Sequence, residues 1–437
     1  IQHWFFQTRQ VNPQHFNQSV LAELTGELDE AALRTALDAL LVHHDALRLR
    51  FERVDGQWRQ DNAPAEQGIP VLRRHNMSDV DESELPSAME KVADEVHASF
   101  DLSRGLLLRA VLFATGTGRR PYLLLVAHHL AVDGVSWRIL LDDLDTAYGQ
   151  ALRGEPVDLG PKTTSFRDWA CRLDQYVAAG GLDGELEHWA AASDAGELPM
   201  DHPGTEPVSP ARTVSVALSA QDTEALLRCA PTAYRTRIND VLLAALAWAL
   251  SRWTGRERVA VEVEGHGREE ILDGVDLSRT VGWFTTMFPV ALDVPAGGEP
   301  DWRTLVKSVR RQVRAVPGNG FGYSALRYLG PTAVRERLAA AGPGPQVVFN
   351  YLGQWDAQQR EVADGLFHAV HASLGQDHDP ADRSSHALEV VGAVNHGRLE
   401  FSWYYQPDRC LQSTVERVAG DFAGALRGIA RDSRETA

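Results

Sequence analysis

Residues 122–137 read YLLLVAHHLAVDGVSW, and their character changes halfway along. Residues 122–127 are a short apolar run, as in a strand that is buried on both faces. Residues 137–148 then carry apolar side chains at helical spacing. Residues 128–134 are therefore predicted to form the turn between a buried strand and a helix, which is where open α/β sheets usually bind their ligands.

His128 and His129 are the residues of this turn that could exchange a proton near neutral pH. Neighbouring side chains on a strand point to opposite faces, so only one of the two can face a reaction site. Taken alone, such a pair is more often two hydrogen-bonded core histidines than a catalytic pair. Asp133 and Gly134 favour a tight turn, and Asp133 could cap the following helix or pair with an arginine, which are structural roles.

The rest of the first half has the same mixture of strand and helix patterns. Asp29 can cap a helix with apolar residues at helical spacing up to Leu47. His43 and His44 fall inside that helix and are interpreted as packing residues. Residues 106–113 are a second apolar run of strand length.

The second half repeats the mixture. Asp240 can cap an almost entirely apolar helix that runs to Trp253. Residues 259–264 alternate as in a strand with one face inward, and further strands are predicted at 346–351 and 399–405.

Prolines interrupt every periodic pattern between Asp194 and Arg212. The sequence therefore predicts two lobes, residues 1–195 and 213–437, joined by a linker at 196–212. Because strands are mixed with helices on both sides of the break, the expected fold class is α/β in each lobe.

Composition excludes several classes of function. The formal net charge of −17 argues against nucleic acid as the main partner, because binding to phosphates requires clustered cations. No apolar run is long enough to span a bilayer, so no membrane partner is expected. Three scattered cysteines, Cys171, Cys229 and Cys410, fit a reducing compartment, and the cytoplasm is expected. Because the first residues, IQHW, are neither a signal peptide nor a normal translation start, a piece of a longer protein is also expected.

Glu264 is the candidate acid or base of the second half. It ends a predicted strand and precedes Gly265 and Gly267, which allow close backbone approach, while Arg268 could hold a nearby carboxylate ionised. Taken alone, Glu264 could also be an ordinary strand-end carboxylate. No metal site is predicted, because the chain has no His-Glu-x-x-His motif or paired cysteines and adjacent histidines are poor co-ligands.

An ordered set of motifs resembles the epimerization domains of nonribosomal peptide synthetases, a branch of the condensation-domain superfamily. The motifs are IQHWF at 1–5, HHLAVDGVSW at 128–137, NDVLL at 239–243, EGHGRE at 264–269, RTVGWFT at 279–285, PGNGFGY at 317–323 and FNYLGQ at 349–354. Condensing relatives share the histidine pair. The VSW, EGHGRE and FNYLGQ blocks are typical of the epimerization branch.

The resemblance implies a fold of two chloramphenicol-acetyltransferase-like lobes in a V-shaped pseudo-dimer, with the active-site tunnel between them. It implies that His129 reaches the tunnel from the first lobe and Glu264 from the second. His128, Asp133, Gly134, Ser136, Trp137 and Arg279 would be supporting residues, with Arg279 paired to Asp133.

The implied activity is inversion, from L to D, of the α-carbon of an aminoacyl or peptidyl thioester. The substrate would be tethered to the 4′-phosphopantetheine of a peptidyl carrier protein domain, either upstream in the same synthetase or in a separate chain. One of His129 and Glu264 would remove the α-proton and the other side would return it, although a one-base route through Glu264 stays open. Tyr351, Asn350 or protonated His129 could stabilise the enolate-like intermediate, and no cofactor of the chain's own is expected.

Two rival functions remain at this point. A condensation domain would use His129 to join two carrier-bound substrates, and the motifs at Glu264 and Tyr351 favour epimerization over it. A catalytically silent member could instead recruit other proteins, but it would have no need to keep both His129 and Glu264. An excised domain is expected to be a monomer.

Overall fold

The structure is a computed structural model, and it describes residues 1–8, 11–26, 28–65, 70–194, 196–202, 211–295, 300–342, 344–354, 365–371, 373–382 and 384–436. Its helices are α1 Gln2–Thr8, α2 Glu30–His43, α3 Leu85–His97, α4 Gly134–Leu152, α5 Phe166–Ala178, α6 Leu186–Ser193, α7 Ala220–Glu224, α8 Ala230–Tyr234, α9 Ile238–Thr254, α10 Trp302–Arg314, α11 Phe321–Leu329, α12 Thr332–Ala340 and α13 Gln412–Thr436. Its strands are β1 Asn17–Leu24, β2 Leu49–Val54, β3 Gln57–Asn62, β4 Leu72–Asn76, β5 Leu108–Ala114, β6 Tyr122–His128, β7 Arg212–Ala217, β8 Arg258–Gly265, β9 Thr286–Asp293, β10 Val347–Gln354, β11 Phe367–His371, β12 Leu388–Asn395 and β13 Arg398–Tyr405. Within the described residues, every helix is too short or too polar to cross a bilayer.

The chain divides into two compact units, each of which takes more than one segment of sequence. Unit 1 comprises Ile1–Arg172, Leu272–Phe284 and Ala357–Asp382, and unit 2 comprises Leu173–Ile271, Thr285–Asp356 and Arg383–Ala437. Both units mix helices with strands, so the predicted α/β class is confirmed.

The units differ from the predicted continuous lobes, 1–195 and 213–437. Strand pairing explains one part of the difference: β11 lies late in the chain but pairs antiparallel with β1, which assigns it to unit 1. Of the predicted linker at 196–212, residues 203–210 lie outside the described part of the chain.

Unit 1 is built on a sheet with the strand order β11-β1-β6-β5-β4. The predicted strand at 122–127 is β6, and it is buried on both faces as expected. Leu123 and Leu125 belong to a core with α2 and α4, whereas Leu124 and Val126 belong to a second core with α3. The strand that leads to the histidine pair is thus fixed by packing on both sides.

The helix caps of unit 1 fit the sequence in part. Asp29 caps α2 as predicted, since its carboxylate accepts the N–H groups of Ala31 and Ala32 at 2.9 Å each. The helix ends at His43, however, so the interpretation of His44 as a helical packing residue is wrong. His44 follows the helix and bonds to Asp143 through its ring, at 2.8 Å.

Unit 2 is built on a sheet with the strand order β7-β13-β12-β10-β8-β9. One face is its apolar core, where Phe401 and Trp403 of β13 pack on Phe422 of α13. The alternation predicted for 399–405 is confirmed, because residues 399, 401, 403 and 405 are buried. The apolar helix predicted to begin at Asp240 is α9, but Asp240 lies in its first turn. There its carboxylate accepts the N–H of Arg237 and the hydroxyl of Thr236, so it supports the cap and does not occupy it.

Candidate active site

Asp133 joins the start of α4 to a later segment of unit 1. One carboxylate oxygen accepts the backbone N–H and the hydroxyl of Ser136, both at 2.8 Å. The other accepts the backbone N–H of Phe284 at 3.1 Å. Asp133 is therefore the predicted helix cap. Because the carboxylate is buried, it would be costly without these hydrogen bonds.

Ser136 completes the same connection. Its hydroxyl accepts the N–H of Gly282 at 3.1 Å, and its oxygen also lies 2.9 Å from the carbonyl oxygen of Gly282, so the single hydroxyl proton is shared between that carbonyl and the Asp133 carboxylate. Gly282 has no room for a side chain, since a Cβ would lie 2.4 Å from the ring of Phe166. Asp133 and Ser136 thus hold Gly282 and Phe284 against the first turn of α4, which begins at Gly134.

Arg279 does not make the predicted pair with Asp133. Its guanidinium donates to Asp142, at 3.1 Å, and to Asp143, both two to three turns further along α4. Both carboxylate oxygens of Asp133 accept backbone N–H groups at the cap. The guanidinium of Arg279 bonds instead to carboxylates in the middle part of the helix. Arg279 still has a supporting role, because it fixes the beginning of the segment that leads to Gly282.

His128 is a structural histidine. It is fully buried, its Nε2 lies 2.8 Å from the carbonyl of Pro13, and its Nδ1 accepts the N–H of Leu130 at 3.2 Å. Since a carbonyl can only accept, Nε2 carries the proton and the ring is neutral. Burial lowers the pKa of His128 to about 3, which removes it as a base or acid at neutral pH.

His129 directly follows β6 and begins a short 3-10 turn, and its ring contacts differ from those of His128. Its backbone N–H donates to the carbonyl of Phe16 at 2.9 Å. Its Nδ1 lies 2.9 Å from the carbonyl of Val132, and its Nε2 lies 2.9 Å from the side-chain amide nitrogen of Gln18. The expectation that only one of the two histidines is available for chemistry fits this arrangement.

Two aromatic rings flank the imidazole of His129. The ring of Trp283 is stacked at a centroid distance of 3.9 Å with an interplanar angle of 27°, and the ring of Phe16 lies at 5.5 Å and 24°. Trp283 is buried, and its indole nitrogen has no hydrogen-bond partner among the described residues. A buried donor without a partner is uncommon in proteins and is explained by strain, by a catalytic role or by a bound water or ion; the indole nitrogen of Trp403, in the apolar core of unit 2, is in the same state.

The second candidate residue, Glu264, lies near the end of β8 in unit 2. The side-chain amide of Asn350 donates to its carboxylate at 2.7 Å. Strand register explains the contact, because β8 and β10 run parallel with Val348 beside Glu262, which places the residues two positions further along side by side. The predicted residues Glu264 and Asn350 are therefore brought together.

The polar face of this sheet carries further acidic groups. Glu262 shares the face of Glu264, and Glu389 lies beside Val348 in the register of β10 and β12. His386 is buried, and its Nε2 lies 3.1 Å from a carboxylate oxygen of Glu262. Burial, together with the negative charges of Glu262 and Glu389, raises the pKa of Glu264 to about 7.

Tyr351 follows Asn350 on β10, at the point where the pairing with β12 becomes irregular. Burial raises the pKa of its phenol, so the hydroxyl is protonated and available as a donor. The role of Tyr351 at the site stays a prediction.

One group in the described residues has the spacing of metal ligands, namely His43, His44 and Asp143. It does not fit a resident cation, because the carboxylate of Asp143 already binds the ring of His44 and the guanidinium of Arg279.

Several residues of these two clusters were missed by the sequence analysis, namely Gln18, Trp283, Glu262, His386 and Glu389. The pairing of β1 with β6 brings Gln18 to His129. The hydrogen bonds between Gly282 and Ser136 bring the neighbouring Trp283 to His129.

His129 belongs to unit 1 and Glu264 to unit 2. That they face each other across a tunnel stays an expectation of the resemblance.

A family model described as the condensation domain matches residues 1–436, and the chain belongs to this family. Among curated proteins it is similar to chondramide synthase cmdD of Chondromyces crocatus, with 40% identity over 435 residues, which is 98% of this chain and 11% of that protein. It is also similar to surfactin synthase subunit 1 of Bacillus subtilis (strain 168), with 36% identity over 98% of this chain and 12% of that protein. The chain thus spans a small fraction of the length of these relatives.

Two solved structures have a similar fold. The epimerization domain from the third module of tyrocidine synthetase B has a TM-score of 0.87 and 32% identity, covering 100% of this chain and 96% of that chain. SgcC5 from Streptomyces globisporus has a TM-score of 0.74 and 23% identity, covering 96% and 93%, which is a likeness of fold alone.

Proposed function

We propose that this chain is an isomerase of nonribosomal peptide synthesis. It epimerizes the α-carbon of an aminoacyl or peptidyl thioester, from L to D, while the substrate is tethered to the phosphopantetheine of a peptidyl carrier protein domain. The observation that carries the proposal is the carboxyl of Glu264, whose pKa of about 7 suits a group that both takes and gives a proton at neutral pH.

The chemistry needs one base, one acid and a stabilised enolate. Neutral His129 takes the α-proton at Nε2, the electron pair of the C–H bond moves into the thioester carbonyl, and the carboxylic acid of Glu264 gives its proton to the opposite face. His129 is then protonated and Glu264 ionised, and exchange with solvent restores both. The indole N–H of Trp283, which has no partner among the described residues, is a suitable donor for the enolate oxygen, beside the expected donors Asn350 and Tyr351.

Peptide-bond formation is the rival, since condensing members of the family share the histidine pair. The contact between Asn350 and Glu264 favours epimerization, because amide formation has no α-proton to exchange and no use for a second group with a pKa near 7. The relative that is named as an epimerization domain supports the same choice, with 32% identity over the whole chain.

The cellular setting is part of the proposal. Relatives that are many times longer than this chain suggest that a carrier domain is supplied upstream in the same protein or by a separate chain. Three free cysteines fit the cytoplasm, and no cofactor of the chain's own is required by the chemistry.

The test uses an L-aminoacyl thioester, deuterated at the α-carbon and loaded on a carrier protein. We expect the wild-type domain to release the deuterium and to yield a mixture of L and D acids on chiral analysis. His129→Gln and Glu264→Gln should each lower the rate at least about a hundredfold, as is typical for removal of a general acid or base. Glu257→Gln, which changes an exposed glutamate of the same unit as Glu264, is the matched control and should behave as wild type.

The alternative outcomes are distinct. Loss of deuterium that survives in His129→Gln but not in Glu264→Gln would support the one-base route. No loss of deuterium, together with peptide formation when a second loaded carrier is added, would overturn the proposal in favour of condensation.

A further inference from the structure

Three hydrogen bonds run in series through the side chains of Gln18 and His129. The indole N–H of Trp137 donates to Oε1 of Gln18 at 3.0 Å. The amide nitrogen of Gln18 lies 2.9 Å from Nε2 of His129, and Nδ1 of His129 lies 2.9 Å from the carbonyl oxygen of Val132.

The groups at both ends of this series fix every proton between them. An indole nitrogen can only donate, so it selects the oxygen of the Gln18 amide and turns the NH2 group toward His129. A backbone carbonyl can only accept, so Nδ1 of His129 carries a proton. Nε2 must then accept from Gln18, which leaves the imidazole neutral with its lone pair at Nε2.

We propose that Gln18 is a positioning residue that holds His129 in the neutral form with the proton on Nδ1, so that His129 begins the reaction as a base at Nε2 once the α C–H of the substrate replaces the N–H of Gln18 at that lone pair. This inference rests on the proposed function for its catalytic meaning. His129 is then neutral in the free domain. It therefore starts as a base and not as the protonated group that could stabilise the enolate.

The position of Gln18 is built into the sheet. In the antiparallel pair of β1 and β6, Gln18 lies opposite Ala127, two residues before His129. Phe16 and Gln18 point to the same face, so the residue that stacks on the imidazole and the residue that bonds to it come from one segment of chain.

Protonation of His129 would oppose two donors. The N–H at Nε2 of an imidazolium would point at the NH2 group of Gln18, and the amide cannot turn over without losing its bond to Trp137. Two titratable groups of the same turn, His128 and Asp133, have hydrogen bonds of their own to other partners. His128 is held neutral by its two bonds, and the Asp133 carboxylate accepts the N–H groups of Ser136 and Phe284.

The test measures the protonation of His129 directly, by long-range 1H–15N spectra of the whole domain with the His129 signals assigned by comparison with His129→Gln. Wild type should show a proton on Nδ1 alone at neutral pH. Gln18→Met removes the donor and should raise the pKa of His129 by about 1, and Gln18→Glu places a carboxylate there and should raise it further.

Trp137→Phe is the second, independent variant. It keeps Gln18 but frees the amide to turn its oxygen toward His129, so the pKa of His129 should again rise. Gln57→Glu adds the same charge as Gln18→Glu at an exposed position of unit 1, and should leave the pKa of His129 unchanged.

A proton on Nε2 in the wild type, or an unchanged pKa of His129 in Gln18→Glu and Trp137→Phe, would overturn the inference. These spectra need no substrate, so their result does not depend on whether the domain epimerizes a thioester. If the domain catalyses exchange, the acidic limb of its pH–rate profile should move to higher pH in the same order of variants. A purely structural role of Gln18 would lower the rate without moving that limb.

Discussion

The side-chain amide of Asn350 donates a hydrogen bond of 2.7 Å to the carboxylate of Glu264, from one parallel strand to its neighbour. A hydrogen bond from a neutral donor stabilises the ionised form of a carboxyl, whereas burial and the charges of Glu262 and Glu389 destabilise it. The pKa of about 7 results from burial and the charges of Glu262 and Glu389, which raise it, and from the nearby His386, which lowers it. Each partner of Glu264 therefore has a predictable influence on its protonation.

Asn350→Leu removes the donor and keeps the size of the side chain roughly constant. The ionised form of Glu264 loses a hydrogen bond, so its pKa should rise above about 7, by about 1. The measurement is a 13C titration of the side-chain carboxyl, assigned by comparison with Glu264→Gln. Asn395→Leu, elsewhere in the same sheet, is the control, and a lower pKa in Asn350→Leu would show that the amide does not stabilise the ionised carboxyl.

Glu264→Gln should make the folded domain more stable at alkaline pH. The folded-state pKa of Glu264 lies above its ordinary value of 4.5, so the folded state holds the proton more tightly and loses stability as the pH rises from 4.5 to about 7. Removing the carboxyl should therefore raise the free energy of unfolding by up to about 3 kcal/mol above pH 7, and by little below about pH 4.5. Urea unfolding at both ends of that window tests this, and an equal effect at both ends would contradict the assigned pKa.

The low pKa of His128 predicts that the folded domain loses stability in acid. Its pKa is lowered from 6.5 to about 3 in the folded state, so below pH 6.5 the unfolded chain takes a proton that the folded chain refuses. Stability should fall by about 1.4 kcal/mol per pH unit from this residue as the pH drops from 6.5 toward 3. His128→Gln, which can keep a donor toward Pro13, should flatten the pH dependence of urea unfolding by that amount. A slope identical to that of wild type would mean that His128 is protonated in the folded domain.

Ser136→Ala tests the connection between α4 and the segment that carries Trp283. The N–H of Gly282 loses its acceptor, and the Asp133 carboxylate and the Gly282 carbonyl lose the one hydroxyl proton that they share, so the free energy of unfolding should fall by about 1–3 kcal/mol. Ser103→Ala, whose hydroxyl bonds to an exposed carboxylate, should cost less than about 0.5 kcal/mol. Because Trp283 follows Gly282, the stacking on His129 should also loosen in Ser136→Ala, which a shift of the His129 ring signals would report.

Local pattern was enough to predict the elements that carry the site. The strand at β6, the turn at His128 and His129, and the cap at Asp133 follow from side-chain periodicity and from the chemistry of a helix N-terminus. The alternation of neighbouring side chains between opposite faces also predicted that only one histidine would be available for chemistry. Asp240 was misplaced within its helix because a carboxylate in the first turn and one at the cap give the same local signal.

The partners of the candidate residues could not be predicted, because they come from strand register between distant segments. Gln18 and His129 are 111 residues apart, and Asn350 and Glu264 are 86 apart. Local periodicity carries no information about such neighbours. The same limit explains the failed pair of Arg279 with Asp133: sequence supplies an arginine and several carboxylates but does not say which of them the fold brings together.

The central claim is tested most directly by approaching the equilibrium from both enantiomers. The wild-type domain is incubated in deuterated water with an L-aminoacyl carrier protein and, separately, with the D-aminoacyl form, and the released acids are analysed for chirality and deuterium. The account predicts that both reactions converge on the same L to D ratio and that the inverted product carries one α-deuterium. Retention of the starting configuration with no deuterium at the α-carbon, from a domain whose substrate remains loaded, would contradict it.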